Sequence, residues 1–349
     1  MRKLAEFFGV LAAVAMFAAG APALAQQAPA PDSAAAQVQR EMVQPGNNAP
    51  VWRDVRSGAP GYTTVQGIET GVLVQSRGQT WREARVPIAF WGGLLVAVAL
   101  GGLAIFYAIR GPMGDVEKPG ARMIRRFSPA DRYAHWLMAI CWTILAVTGL
   151  VMSFGKDLLI PVIGYTLFAW LAVLFKNLHN FVGPILIIAV PWMFFQYVRD
   201  NGITAADFKW FGNIFGYFRG KETPSRRFNA GEKLVFWVVL IILTTILVLT
   251  GLILNFPNYG QGRSVMQNAS MIHMVAAYVA MSLAAVHIYL GTIGVRNAYR
   301  AMRHGEVSEH WAEHHHKLWY EDVKAGKARQ KFADEVEKPA TGEARTQST

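Results

Sequence analysis

The sequence predicts an all-α integral membrane protein, and three observations carry that prediction. Of the 349 residues, 53% are hydrophobic and only 16% charged, where ordinary soluble domains carry about a quarter charged residues. The apolar residues are clumped into uncharged runs at 86–109, 134–155, 179–198, 234–257 and 269–295. Each is close to the roughly 20 residues that cross the hydrocarbon core as a helix. The runs are long and do not alternate, which selects helices over the shorter, alternating strands of a membrane barrel.

The amino terminus reads as an export signal spanning 1–25. "MRK" is a basic start, residues 7–20 form a short apolar core, and "ALA" at 23–25 is a cleavage pattern. Residues 26–85 are polar, rich in Pro, Gln and Gly, and are expected to form a periplasmic segment. The single cysteine, Cys141, excludes internal disulfides and any iron–sulfur cluster held by this chain's own set of thiolates. The net charge of +11 sits mostly in loops and tail, so it reads as membrane topology rather than nucleic-acid binding.

Lys and Arg are enriched in cytoplasmic loops. Residues 110–132 hold Arg110, Lys118, Arg122, Arg125, Arg126 and Arg132, and residues 199–233 hold seven basic side chains. By contrast, 155–177 holds only Lys156 and Lys176, and 258–267 only Arg263. The first, third and fifth spans therefore run inward and the second and fourth outward. That leaves a cytoplasmic loop at 110–133 and a cytoplasmic tail at 298–349. Residues 157–175 are apolar too, but Pro161 and Gly164 interrupt them. They are expected to form an interfacial segment leading into a third span that begins a turn or two before His179.

Within the spans or at their mouths stand four histidines: His135, His179, His273 and His287. The other five, His304, His310, His314, His315 and His316, lie in the tail. An ionisable residue inside a membrane span is a functional candidate by default, although any one of these could be a neutral histidine hydrogen-bonded between helices. Their placement favours more. His273 and His287 lie 14 residues apart on one span, which puts them on similar faces and about 21 Å apart along the axis. The expected topology matches His179 to His273 in depth at the outer level and His135 to His287 at the inner level. Two imidazoles from two helices at each level describe two bis-histidine hemes. Neutral imidazole is a good iron ligand and is cheaper to bury than a charge. The architecture is then a four-helix di-heme bundle over 134–297, plus one extra N-terminal transmembrane helix at 86–109. Two histidines with no Cys, Asp or Glu beside them make a poor zinc site.

An internal echo supports this arrangement: "VTGLVMSF" at 147–154 and "LTGLILNF" at 249–256. Gly149 and Gly251 would clear space for the outer macrocycle. Packing of small residues between membrane helices accounts for them equally well. Just before the fourth span, "RRFNAGEKLVFW" places Asn229 and Gly231 at a helix start and Glu232 in its first turn. A helix cap explains this; so does a quinone pocket, whose carbonyls need donors and whose reduction needs protons. The residues alone leave both standing. The tail segment "HWAEHHHKLWYEDV" reads as a solvated basic stretch that docks on a partner.

Several stretches in order resemble the gamma subunit of respiratory formate dehydrogenase, a membrane di-heme cytochrome b. They are "RFSPADRYAHWLMAICW", "NLHNFVGPILI", "RRFNAGEKLVFW", "LTGLILNFPNY", "MIHMVAAYVAMSLAAVHIYLG" and "HGEVSEHWAEHHHKLWY", covering roughly 122–324. The resemblance implies two heme b groups, with His179 and His273 as axial ligands of the outer iron and His135 and His287 of the inner. It implies a quinone site, for menaquinone or ubiquinone, involving Asn229, Gly231, Glu232 and His287. The family pattern has Gln at the position of Glu232. It implies partners: an iron–sulfur beta subunit and a molybdenum or tungsten alpha subunit that oxidises formate, so no formate-oxidising site falls on this chain. The location implied is the cell inner membrane. The cytochrome b subunit of a membrane-bound hydrogenase or another molybdoenzyme is the nearest alternative. A heme-free anchor or transporter is an alternative of another class.

Overall fold

A computed structural model describes residues 76–336 except 115–119, 220 and 222, together with Trp52, Arg53, Arg56 and Ser57. The expected signal peptide and most of the expected periplasmic segment lie outside the described residues. Among the described residues the regular elements are helices apart from one small two-stranded sheet. Five helical segments are long and apolar enough to cross a membrane: Glu83–Arg110, Pro129–Leu158, Ile160–Asp200, Ala230–Asn255 and Arg263–Gly294. Many large apolar side chains on them point outward, such as Trp170, Phe181, Ile188 and Phe195. A patch of that size marks a lipid-facing surface rather than a water-facing one.

Helix α1 spans Ser76–Arg110 and α2 Pro129–Leu158. The third span differs from its expectation. Helix α3 runs Ile160–Val182 and is broken only at Gly164, whose φ of 75° is open to glycine and strained for other residues. The apolar residues after that kink belong to the same helix as His179, which therefore starts more than three turns before that histidine. Leucines, aromatics and alanines with no further breaker let it propagate. A 3-10 turn at Gly183–Ile185 follows, where Pro184 offers no N–H to the helical ladder. Helix α4 then covers Leu186–Tyr197.

After the short helices α5 (Ala205–Gly212) and α6 (Ile214–Phe218), α7 (Ala230–Leu234) opens the fourth span. It passes through a π-helical stretch, Val235–Leu243, into α8 (Thr244–Asn255). Helix α9 is Arg263–Tyr289. Helix α10 (Ala298–His304), α11 (Glu309–His315), α12 (Lys317–Lys324) and α13 (Ala333–Val336) complete the described chain.

The chain divides into two compact units. Of the described residues, the first holds those up to 101, with 144–184 and 246–281. In it α1 docks through Gly92 and Gly93. A Cβ at Gly92 would collide with the Tyr278 ring, and one at Gly93 would lie 2.6 Å from Phe154 Cζ. Asn255 donates to the Asn180 carbonyl at 3.2 Å, tying α8 to α3.

Of the described residues, the second unit holds those in 102–143, 185–245 and from 282 onward. Strand β1 (Met123–Arg125) pairs antiparallel with β2 (Glu306–Ser308), with Ile124 opposite Val307, and Ile124 bridges on its other side to Phe332. Ile124 and Val307 are fully buried. The tail therefore corrects its expectation. Trp311, His315, His316, Trp319, Tyr320 and Val323 are all buried, so residues 298–332 fold as part of this unit rather than standing in solvent. Apolar aromatic faces at i, i+4 and i+8 outweigh the segment's charge.

Candidate functional site

The structure brings the four span histidines together in two pairs. In the first unit, His179 of α3 and His273 of α9 have ring centroids 6.3 Å apart with planes at 68°. In the second unit, His135 of α2 and His287 of α9 have centroids 6.3 Å apart at 55°. A metal–imidazole bond is about 2.0 Å and the ring centre lies roughly 1.1 Å behind the nitrogen, so two imidazoles on one ion sit about 6.2 Å apart. Both pairs match that span. Among the described residues no group of three or more His, Cys, Asp or Glu gathers as a metal cage, so each pair suits an ion whose remaining ligands come from a macrocycle.

The surroundings also fit such a group. At Gly149 an added Cβ would meet only His179 Cε1, at 3.5 Å, and at Gly251 only His273 Cε1 at 3.4 Å and Nδ1 at 3.9 Å. Beside the first pair, the two echo glycines thus each face a histidine ring and otherwise open space. At the second pair, His135 Nδ1 is buried without a hydrogen-bond partner, a cost that a bound group or a shift of the ring would relieve.

The threonines that precede those glycines hold the first pair. Thr148 Oγ1 lies 2.8 Å from His179 Nδ1, and Thr250 Oγ1 2.9 Å from His273 Nδ1. In the sequence the glycines of the echo stand out as a site feature and the threonines do not. The signal was present: a Thr-Gly dipeptide at the same place in both copies.

The second unit carries a larger repeat that the sequence reading also missed. "RRFSPADRYAHW" at 125–136 matches "RRFNAGEKLVFW" at 226–237. The two copies are clasped crosswise. Arg126 pairs with Glu232 at 3.0 Å and donates to the Arg227 carbonyl at 2.6 Å. Arg227 pairs with Asp131 at 2.9 Å and donates to the Arg126 carbonyl at 2.8 Å. Both guanidinium groups also lie against the rings of Phe127 and Phe228. Each copy starts its helix with a capping box, Ser128 with Asp131 and Asn229 with Glu232. Burial works against the charge of Arg126, and the Glu232 carboxylate opposes that effect.

The copies drift by one residue. Arg126 and Arg227 are 101 positions apart, whereas Thr148 and Thr250 are 102 apart. The π stretch Val235–Leu243 lies between them in the second copy and absorbs the extra residue. The buried Thr244 hydroxyl donates to the Val239 carbonyl five residues back, at 2.8 Å. At the position matching His135 the second copy has Phe236, which is buried.

Asn229, Gly231 and Glu232 each have a structural role here. Asn229 Oδ1 accepts from the Glu232 N–H at 2.9 Å, and Glu232 returns the bond to the Asn229 N–H at 2.9 Å. A Cβ at Gly231 would lie 3.0 Å from the Trp210 ring, so glycine lets that ring close on α7. Glu232 further faces buried His316, whose Nε2 is 3.9 Å from Oε2. His316 Nδ1 lies 2.7 Å from the Arg226 carbonyl, to which it donates. Burial first, and then the nearby Arg126 charge, push His316 down to about 3.

Paired, half-buried histidines on apolar helices, with room cleared at the ring edge of one pair, fit the class of heme-carrying membrane cytochromes. The sequence model of prokaryotic cytochrome b561 matches residues 126–305, half of the chain, and the chain belongs to that family. It is thus an integral membrane cytochrome of the b type. More particularly, it is similar to cytochrome b556 subunits of formate dehydrogenase. From Escherichia coli strain K12, one such subunit is 33% identical over 205 residues, covering 58% of this chain and 93% of that protein. The subunit of the nitrate-inducible enzyme from the same strain is 28% identical over 227 residues, covering 62% and 99%. A Haemophilus influenzae subunit is 26% identical over 225 residues, covering 61% and 89%. The resemblance read from the sequence motifs holds.

Proposed function

We propose that this chain is the membrane subunit of a formate dehydrogenase complex, passing electrons from a periplasmic iron–sulfur subunit through two b hemes to membrane quinone on the cytoplasmic side. The observation that carries this reading is the pair of histidine couples, each with a 6.3 Å ring separation suited to one iron between them. His179 and His273 would hold the outer heme, and His135 and His287 the inner. Each heme, when bound, supplies a one-electron carrier that cycles between ferric and ferrous iron. The names of the relatives favour formate as the source of electrons over hydrogen. A molybdenum or tungsten alpha subunit would oxidise the formate.

The chain's own residues bind and orient. Thr148 and Thr250 hold two of the imidazoles. The crosswise clasp fixes the helix starts that carry His135 and Asn229. Asn229, Gly231, Glu232 and His287 are the proposed quinone-facing set. The Asn229 carboxamide N–H, whose oxygen is occupied by the cap, is the donor suited to a quinone carbonyl. With the N-terminal segment periplasmic and the tail cytoplasmic, quinone takes up its protons from the cytoplasm.

The test is heme quantitation and a dithionite-reduced spectrum of the purified complex, followed by reduction with formate. Two b hemes per chain, reduced by formate and reoxidised by a soluble quinone, are expected. No heme b bands, or both hemes retained after His179→Ala and His287→Ala together, would sink the reading.

A further inference from the structure

We propose that Thr148 and Thr250 are positioning residues that fix the tautomer and rotation of His179 and His273, and so set the reduction potential of the heme held between them. This rests on the reading of those two histidines as axial ligands.

The hydrogen bonds decide the direction of each contact. Thr148 Oγ1 lies 2.7 Å from the Ile144 carbonyl, and Thr250 Oγ1 2.6 Å from the Ile246 carbonyl. A carbonyl only accepts, and a hydroxyl has one proton to give. Oxygen–oxygen approaches that short need the proton between them. Each threonine therefore donates to its own helix and accepts from the histidine. The proton must then stand on Nδ1 of His179 and of His273, and Nε2 of each presents its lone pair. A metal-ligating histidine is commonly oriented in this way by a partner on its other nitrogen.

The neighbouring glycine completes the device. Nδ1 and Cε1 are adjacent atoms of the ring. Threonine takes Nδ1, and glycine leaves Cε1 clear at 3.4–3.5 Å from where its Cβ would be. Thr148 and Thr250 are 2% and 8% exposed, so no bulk water competes for the bond. The device occurs twice, on α2 facing α3 and on α8 facing α9. In both cases the Thr-Gly dipeptide lies on one helix and the histidine on the next long helix of the chain. One heme would thus be held symmetrically, each axial ligand having its own hydroxyl. Among the described residues His135 Nδ1 has no such partner, so the two hemes would differ.

Donation from Nδ1–H makes an imidazole more basic and favours ferric iron. Valine keeps the branched shape of threonine without the hydroxyl; serine keeps the hydroxyl. The experiment is an optical redox titration with low-temperature EPR on the intact complex, carrying Thr148→Val, Thr250→Val, Thr148→Ser or Thr250→Ser. Each valine variant is expected to shift the reduction equilibrium of one heme about tenfold toward ferrous, ~59 mV for a one-electron couple. Its ferric EPR signal moves too. The other heme stays put, and the serine variants behave as wild type. Loss of one heme in a valine variant, with retention in the serine variant, supports the same assignment. Unmoved potentials in both valine variants, equal shifts of both hemes, or serine variants that behave like valine would overturn it. Failure of the underlying reading looks different: wild type would hold fewer than two hemes, or His179→Ala would retain both.

Discussion

Replacing Arg227 with methionine should destabilise the protein by about 3–4 kcal/mol. The Arg227 side chain is 5% exposed and pairs with Asp131, itself 9% exposed, at 2.9 Å. It also pairs with Asp200 and donates to the Arg126 carbonyl. Methionine fills part of the space against Phe127 and Phe228 but leaves the Asp131 carboxylate buried beside a lost cation. Breaking a buried pair from one side costs about 3–5 kcal/mol. The lower part of that range applies because Gln196 at 2.6 Å and the Ser128 N–H at 2.9 Å still hold Asp131. Arg329→Ala is the control. Arg329 meets the same Asp200 at 2.7 Å but is 58% exposed, and exposed pairs contribute about 0–1 kcal/mol. The assay is unfolding in mixed micelles, followed by loss of heme absorbance. The double variant Asp131→Asn, Arg227→Met should cost clearly less than the sum of the two single variants, because neither charge is then stranded. A loss under about 1 kcal/mol for Arg227→Met, or strict additivity in the double variant, would refute the view of the clasp as a buried, coupled network.

His273→Ala should remove one heme and leave the other visible in a reduced spectrum; loss of both, or of neither, would break the assignment of separate pairs. Gly251→Val should lower the occupancy of the same heme in a folded protein, since its side chain enters the space beside His273; unchanged heme content would make Gly251 a packing residue only. Asn229→Ser keeps a good helix cap but deletes the carboxamide donor, so quinone reduction should slow while formate still reduces both hemes. Undiminished quinone turnover would remove Asn229 from that site. His316, held near 3 by burial and Arg126, lies below the ordinary histidine value of about 6.5. The unfolded chain therefore binds the extra proton first, and stability should be full above pH about 6.5 and fall as pH drops from there toward 3. In His316→Gln that fall should flatten, measured as the difference in unfolding midpoint between pH 7.5 and 5; an unchanged slope would mean that other groups control it.

The sequence by itself determined the five spans, the pairing of the four histidines and the family, because each is written in local signals. Uncharged length marks a span, helical rise converts 14 residues into a depth, and ordered motifs mark kinship. Only the tertiary structure showed that one helix runs from Ile160 through the kink at Gly164 to His179, since one glycine can end a helix or merely bend it and neighbours decide which. It also folded the tail onto strand β1. Charge counting could not foresee this, because the burying surface comes from residues about 180 positions away. The crosswise clasp depended on it as well. Arg126 with Glu232 and Arg227 with Asp131 are partners across copies, and a repeat in sequence does not say which copy its charges will face. The threonines make the same point at smaller scale. Their identity was visible in the echo, but a hydroxyl becomes a histidine's partner only where packing closes two helices to within 3 Å of each other's polar atoms.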